Sequence, residues 1–220
     1  MIKIDSLIRS KRRTLMLQIN DVGELIVRAP MKMPMHEIEK FIEQKSRWII
    51  AKQQQAQNHI AANPKKQFVD GEKFLYLGQP YSLKITTNSE IQLAESLELP
   101  TIMLPRAAEH LLAWYKCEAK KIFNDRVEFH SQISGLKHNG IRISNARARW
   151  GSCTAKNKLN FTWRLIMAPL EVIDYVIVHE LAHISEKNHG KHFWNLVTKW
   201  FPHHKASRLW LRKYGELLTW

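Results

Sequence analysis

The residues best suited to chemistry are His179, Glu180 and His183 in the run HELAHISEKNH, with His189 six positions past the second histidine. Side chains four apart on a helix project from one face, a turn apart, so the two imidazoles converge on one point. That point suits a zinc ion, and the glutamate between them is placed to act as general base toward water the ion activates. A third ligand is needed. Glu186, seven residues past His179, returns to nearly the same helix face, but along a straight helix its backbone lies roughly 10 Å away. Ligand bonds of about 2 Å do not span that stack. A glutamate from a later helix is nearly excluded, because after Glu186 the next acid is Glu216. Asn188 and Gly190 let the chain turn around His189, so His179, His183 and His189 are the expected three-histidine set. His192, His203 and His204 remain alternatives for the third position. Three neutral imidazoles leave the full charge on the ion, and the chemistry expected is hydrolysis by water of pKa near 7.

Oxyanion stabilisation needs a further donor or cation. Arg149 is the catalytic candidate, with Arg147, His203, His204 and Tyr214 as alternatives. Asp174 reads as a solvated helix-start carboxylate or as a group orienting a ligand histidine. Cys153 lies near the motif in sequence, but nothing there supplies the base a nucleophilic thiol requires.

Positioning these groups requires a helix, and Leu170–Ile184 has the pattern for one, with Ile173, Ile177 and Ile184 toward the core. Ahead of it, Lys158–Leu165 reads as a strand after a tight turn at Gly151-Ser152, and residues 140–144 read as another. Pro105 opens a long helix reaching about His130, with a roughly 3.6 period through Leu111, Leu112, Tyr115, Ala119, Ile122, Phe123, Val127 and Phe129. Two short helices, His192–Phe201 and His204–Leu218, flank Pro202. Nearer the start, residues 1–30 read as a β-hairpin turning at Asp21-Val22-Gly23. One helix is expected over 34–58, with Ile38, Phe41, Ile42, Trp48 and Ile49 on one face. A linker at Asn63-Pro64 and a hairpin or meander over 67–100 follow. The fold class is α+β. The expected division is an N-terminal α+β lobe over 1–100 and a mostly helical catalytic lobe with a small sheet over 101–220.

The 220 residues carry 34 Lys and Arg against 20 Asp and Glu, a net charge of +14. No acid occurs from Lys137 to Arg164 or from Lys187 to Gly215, so basic blocks at 137–164 and 187–213 flank the motif. Such blocks draw polyanions, so a nucleic acid or a nucleotide is a candidate partner beside a peptide or protein substrate. Two cysteines fit a reducing compartment rather than a disulfide scaffold. The first residues lack the apolar region of a secretory signal, and no apolar run spans a bilayer. A cytoplasmic protein without a membrane partner is expected.

The blocks RWGSC, LNFTWRLIMAP and VIDYVIVHELAHISEKNHGKHFW resemble the YgjP-like family of predicted zinc metallopeptidases, wider relatives of the SprT and WLM-type zinc peptidases. The resemblance covers most of the chain. It implies a zincin-like catalytic half binding one zinc ion, with His179, His183 and His189 as ligands and Glu180 as catalytic base. It also implies that a strand before the metal helix binds the substrate backbone, a part Lys158–Arg164 would play. Met167 is the last methionine, so no Met-turn follows, and this is not a metzincin. Members of the family have also been described as nucleotide (UTP) pyrophosphatases. The activities to separate are therefore an intracellular zinc metallopeptidase, a metal-dependent nucleoside triphosphate pyrophosphatase, and a nucleic-acid-binding module with structural zinc.

Overall fold

Leu25, Val27 and Ala29 alternate with Ile26 and Arg28, and the first three are fully buried. Alternation of this kind marks a strand with one face on a core. The computed structural model describes residues 2–20, 22–62 and 65–218. In it, β1 (Ser6–Ser10), β2 (Met16–Ile19) and β3 (Leu25–Pro30) form a sheet ordered β1-β3-β2. The expected antiparallel hairpin is β2 with β3, and β1 adds a parallel third strand. Asp21 of the expected turn lies outside the described residues. Gly23, at φ +87, closes the turn in the left-handed region that favours glycine.

The single helix expected over 34–58 is two helices, α1 (Met35–Gln44) and α2 (Ser46–Ala62). Lys45 leaves helical geometry at φ −100 and ψ 7 between them, while its N–H still reaches the carbonyls of Phe41 and Ile42. Ile38, Ile42 and Ile49 join β3 in one core. The break changes the face presented after it, so Trp48, expected inside, is 42% exposed. The expected linker at Asn63-Pro64 lies outside the described residues.

The chain divides into two compact units, Met1–Lys65 and Lys66–Thr219. The sequence boundary was drawn at residue 100, but the strands of 67–100 pack with the later chain. β4 (Lys73–Tyr76) and β5 (Gln79–Thr86) form a hairpin, and β6 (Gln92–Leu93) and β7 (Leu97–Pro100) complete a sheet ordered β4-β5-β7-β6. β5 pairs with β7 in parallel, so this is not a simple meander. At the hairpin tip Leu77 and Gly78 both have positive φ, 47 and 81. Their N–H groups donate to the carbonyls of Ile166 and Met167 at 2.8 and 3.1 Å. A Cβ on Gly78 would meet Pro169 at 2.8 Å. The hairpin thus braces the entry to the helix that follows Pro169, which explains why a glycine stands there.

A 3-10 turn over Thr101–Arg106 leads into α3 (Ala107–Ser134). Leu111, Tyr115, Ala119, Phe123 and Val127 are its fully buried stripe. β8 (Ile141–Ser144), β9 (Gly151–Cys153) and β10 (Leu159–Thr162) form a third sheet, ordered β8-β10-β9. Its inner face meets α3, with Phe161 and Phe123 edge to face at 5.7 Å. After a 3-10 turn over Trp163–Met167 come α4 (Leu170–Ser185), α5 (Lys191–Trp200) and α6 (His204–Tyr214). The architecture is α+β, and among the described residues no helix is long and apolar enough to cross a membrane.

Helix α4 is buried on almost every side, including Val172, Ile173, Tyr175, Val176, Ile177, Val178, Leu181 and Ala182. A helix apolar all round sits inside a fold rather than on it. Asp174 is buried with them and is neither solvated nor beside a ligand histidine, the two readings the sequence offered. Arg126 of α3 binds it through Nε at 2.7 Å and Nη2 at 2.6 Å, and His130 Nε2 lies 3.2 Å from Oδ1. Burial pushes the Asp174 carboxyl up, but the His130 and Arg126 contacts outweigh it and hold the group below 3.8. A depressed folded value stabilises the fold above the unfolded pKa, and that gain is lost as pH falls through the folded value. Asp174→Asn leaves Arg126 without its carboxylate and is expected to cost about 3 kcal/mol at pH 7. Urea denaturation of both proteins should show this gap closing in acid.

Candidate metal centre

Helix α4 runs over 170–185, so His179 and His183 sit on successive turns of a rigid, buried element. The helix ends at Glu186, whose backbone turns extended at φ −123 and ψ 108. The chain then returns through Asn188, His189 and Gly190 to α5. His189 Nε2 comes to 3.0 Å from His179 Nε2 and 3.1 Å from His183 Nε2. Among the described residues these three form the group of ligand-type side chains that could hold an ion, with their ligand atoms within 4.8 Å of one another. Glu186 contributes only its carbonyl there, which accepts from His183 Nδ1–H at 3.0 Å.

That hydrogen bond fixes a tautomer. With Nδ1 protonated, neutral His183 has its Nε2 lone pair facing His189. A single N–H on His189 cannot point along both of its 3.0–3.1 Å contacts, so at least one pair of nitrogens meets without a linear hydrogen bond. A cation among the three lone pairs removes the conflict, and zinc–nitrogen bonds of about 2.0–2.1 Å suit nitrogens at this spacing. Burial, then the charges of His183, His189 and Arg208, push the His179 pKa down to about 3. Burial also lowers His183, against the pull of the Glu186 carbonyl. Both rings are therefore neutral and available as ligands near neutral pH.

The floor of the centre is aromatic. Phe193 of α5 is fully buried, with its ring centroid 4.9, 4.6 and 4.7 Å from those of His179, His183 and His189. Trp194 stacks on His189 at 6.0 Å and on His204 at 5.8 Å. The Arg208 guanidinium lies 5.0 Å from the Trp194 ring centre. His204, a candidate for ligand or oxyanion donor in the sequence, is a buried stacking partner of Trp194. His203 and His192 are exposed, and Tyr214 packs on Trp210 at 5.3 Å. Sequence reasoning missed Phe193, Trp194 and Arg208. For Phe193 and Trp194 the signal was only position, since the first turn of α5 must follow the His189 turn and so lies against the rings; Arg208, on α6, had no local signal.

Glu180 faces the β8-β10-β9 sheet. A Cβ on Gly151 would lie 2.6 Å from Glu180 Cγ and 2.7 Å from Oε1, so the glycine's bare Cα makes the space for this carboxyl. Burial pushes the Glu180 pKa up to about 8, against the charge of Arg149 and the N–H of Cys153, which donates to the carboxylate. Burial also raises the Cys153 thiol, the opposite of what activates a nucleophile. Arg149 is exposed in the turn before β9, near enough for its charge to act on Glu180. Arg147 is exposed too, outside the pocket that Arg149 lines.

The 158–164 segment was expected to receive a substrate strand, but β10 within it is paired on both sides, with β8 and β9. The free edge nearest Glu180 belongs to β9. Trp150 O and Thr154 N bond toward β10, so the backbone groups of Gly151 and Cys153 point the other way, and of these the Cys153 N–H is taken by the Glu180 carboxylate.

Phe193→Ala would leave a void beneath three imidazoles. It is expected to destabilise the chain by about 3–5 kcal/mol in urea denaturation; a loss below 1 kcal/mol would mean that the ring does not support the centre.

The sequence model of the YgjP-like, metallopeptidase domain matches residues 13–214. A UTP pyrophosphatase of Escherichia coli (strain K12) is 30% identical over 92 residues, 40% of this chain and 55% of the relative. The chain thus spans about half the length of that curated relative. Among solved structures, the metallopeptidase zymogen of Pyrococcus abyssi abylysin is similar at 24% identity and a TM-score of 0.39, covering 43% of this chain and 94% of that one. The zymogen of Methanocaldococcus jannaschii jannalysin is similar at 22% and 0.38, covering 43% and 96%. With its family match running from the N-terminal sheet to the end of α6, the chain belongs to the YgjP-like metallopeptidase family.

Proposed function

We propose that the chain is a zinc-dependent, intracellular metallopeptidase in which His179, His183 and His189 hold the ion and Glu180 is the general base. The observation that carries this reading is the convergence of three imidazoles on a helix whose next residue after His179 is a buried glutamate. When bound, the ion supplies Lewis-acid polarisation and lowers the pKa of water. The chain's own residues do the rest. Glu180 takes a proton from the attacking water and delivers it to the departing amide nitrogen. Its carboxyl is held for both transfers between the Gly151 Cα and the Cys153 N–H. The outer edge of β9, where the Gly151 N–H and C=O and the Cys153 C=O stay unpaired with any described strand while the Cys153 N–H serves Glu180, supports binding of an extended peptide by strand addition beside that carboxyl. Arg149, whose charge acts on Glu180, and Arg208 and Lys187, whose charges act on His179 and His183, are the cations available to the negative charge that develops on the substrate.

Zinc analysis and peptide-library cleavage test the reading together. Glu180→Gln is expected to retain one zinc ion per chain and to lose about 10²–10⁴-fold in cleavage rate. His189→Ala is expected to lose the zinc. Wild-type cleavage no faster than that of Glu180→Gln would defeat the peptidase reading. Gly151→Ala forces a methyl group onto the Glu180 side chain; it should keep the zinc and lose about 10²-fold in rate through misplacement of the base.

Hydrolysis of a nucleoside triphosphate is the second reading, supported by the similarity to the UTP pyrophosphatase over 92 residues. Release of pyrophosphate from UTP that disappears in His179→Ala would support it. A structural zinc in a nucleic-acid-binding module has less support, because closed structural sites use four protein ligands and three converge here among the described residues.

A further inference from the structure

The β8-β10-β9 sheet has two unlike faces. Leu159 and Phe161 are buried on the inner one, where Gly151 meets Glu180. On the other face Arg142, Asn160 and Ser152 lie side by side in register, and Ser144 pairs with Thr162. These residues, with Arg149 and Trp150, line a cavity of about 290 Å³ that reaches Gly151. Its lining contains no acid, and neither does the chain from Lys137 to Arg164.

The neutral polar groups of this cavity are already committed. The Ser144 hydroxyl donates to Phe161 O, the Thr162 hydroxyl to Ala146 O, and the Asn160 amide to Ser152. The guanidinium groups of Arg142 and Arg149 make no ion pair among the described residues. Two cations in an acid-free recess attract a carboxylate and repel a cation. One wall is fixed by Trp150, packed so closely on Gly215 that a Cβ there would lie 2.7 Å from the ring.

A peptide lying along the free edge of β9 would send alternate side chains to the two faces of the sheet. Those on one face meet Glu180, and those on the other meet this cavity. We propose that the cavity behind β9 is a subsite for an acidic side chain of the substrate, recognised by Arg142 and Arg149. This rests on the peptide-binding reading above, and it makes the chain selective for a Glu or Asp at one fixed position.

The test uses the full chain with Glu180→Gln, loaded with zinc, and fluorescence anisotropy of labelled decapeptides in which Gln is replaced by Glu at each position in turn. At one position Glu should bind about tenfold tighter than Gln. Adding Arg142→Gln should bring that ratio within about twofold, and Arg142→Glu should turn the preference toward Lys. Lys84→Gln, an exposed change on β5, should leave the ratio intact. A ratio near one everywhere overturns the proposal. So does an equal gain at every position, the mark of the overall positive charge, or a preference that survives Arg142→Gln with Arg149→Gln. Because binding is read without turnover, a chain with the positional preference but no cleavage would defeat the peptidase reading and keep the subsite.

Discussion

Burial of helix α4 is the constraint from which the rest of the molecule follows. Apolar residues on almost every face of this helix require partners all around it, and they come from α3, the β8-β10-β9 sheet, α5 and α6. Each partner also supplies something to the centre. The α3 helix provides Arg126 and His130, which hold the buried Asp174 of α4. The sheet provides the glycine against which Glu180 lies. The α5 helix provides the aromatic floor, and α6 provides Arg208. A buried helix cannot slide or rotate without breaking several of these contacts at once, so the positions of His179, Glu180 and His183 are fixed by packing rather than by a loop.

The same burial sets the chemistry of the side chains. Removing His179 from water keeps its ring neutral, as a metal ligand must be. Removing Glu180 from water makes its carboxyl a stronger base, the direction a proton acceptor needs. One physical cause thus shifts two residues adjacent in sequence in opposite directions, each the direction its proposed role requires. Phe193 contributes no polar atom, yet it touches all three imidazoles and excludes solvent beneath them. An apolar floor of this kind strengthens each electrostatic interaction above it.

Much of this was legible in the chain. The 3.6 period of α3 and the extent of α4 follow from hydrophobic spacing, and both elements occupy nearly the residues expected. The histidine set followed from helix rise and the absence of acids between Glu186 and Glu216, and the fold brings those three rings together. Less legible were features with no local signature. The break at Lys45 has neither proline nor glycine to announce it. The parallel pairing of β5 with β7 joins segments whose separate patterns look alike in either direction. Asp174 looks like a solvated residue near a helix start until α3 is laid against it.

Sequence alone determined which imidazoles could meet, because residues four apart must share a helix face and His189 can join them only through a turn. It also determined the charge, since the acid-free blocks are a matter of composition. Tertiary structure decided which strand offers a free edge, which arginines face the centre, and what lies under the histidines. Those answers depend on contacts between residues far apart in the chain. Glu180 and Gly151 stand 29 positions apart, and nothing in the local pattern of either says that the carboxyl of one fills the space left by the missing side chain of the other.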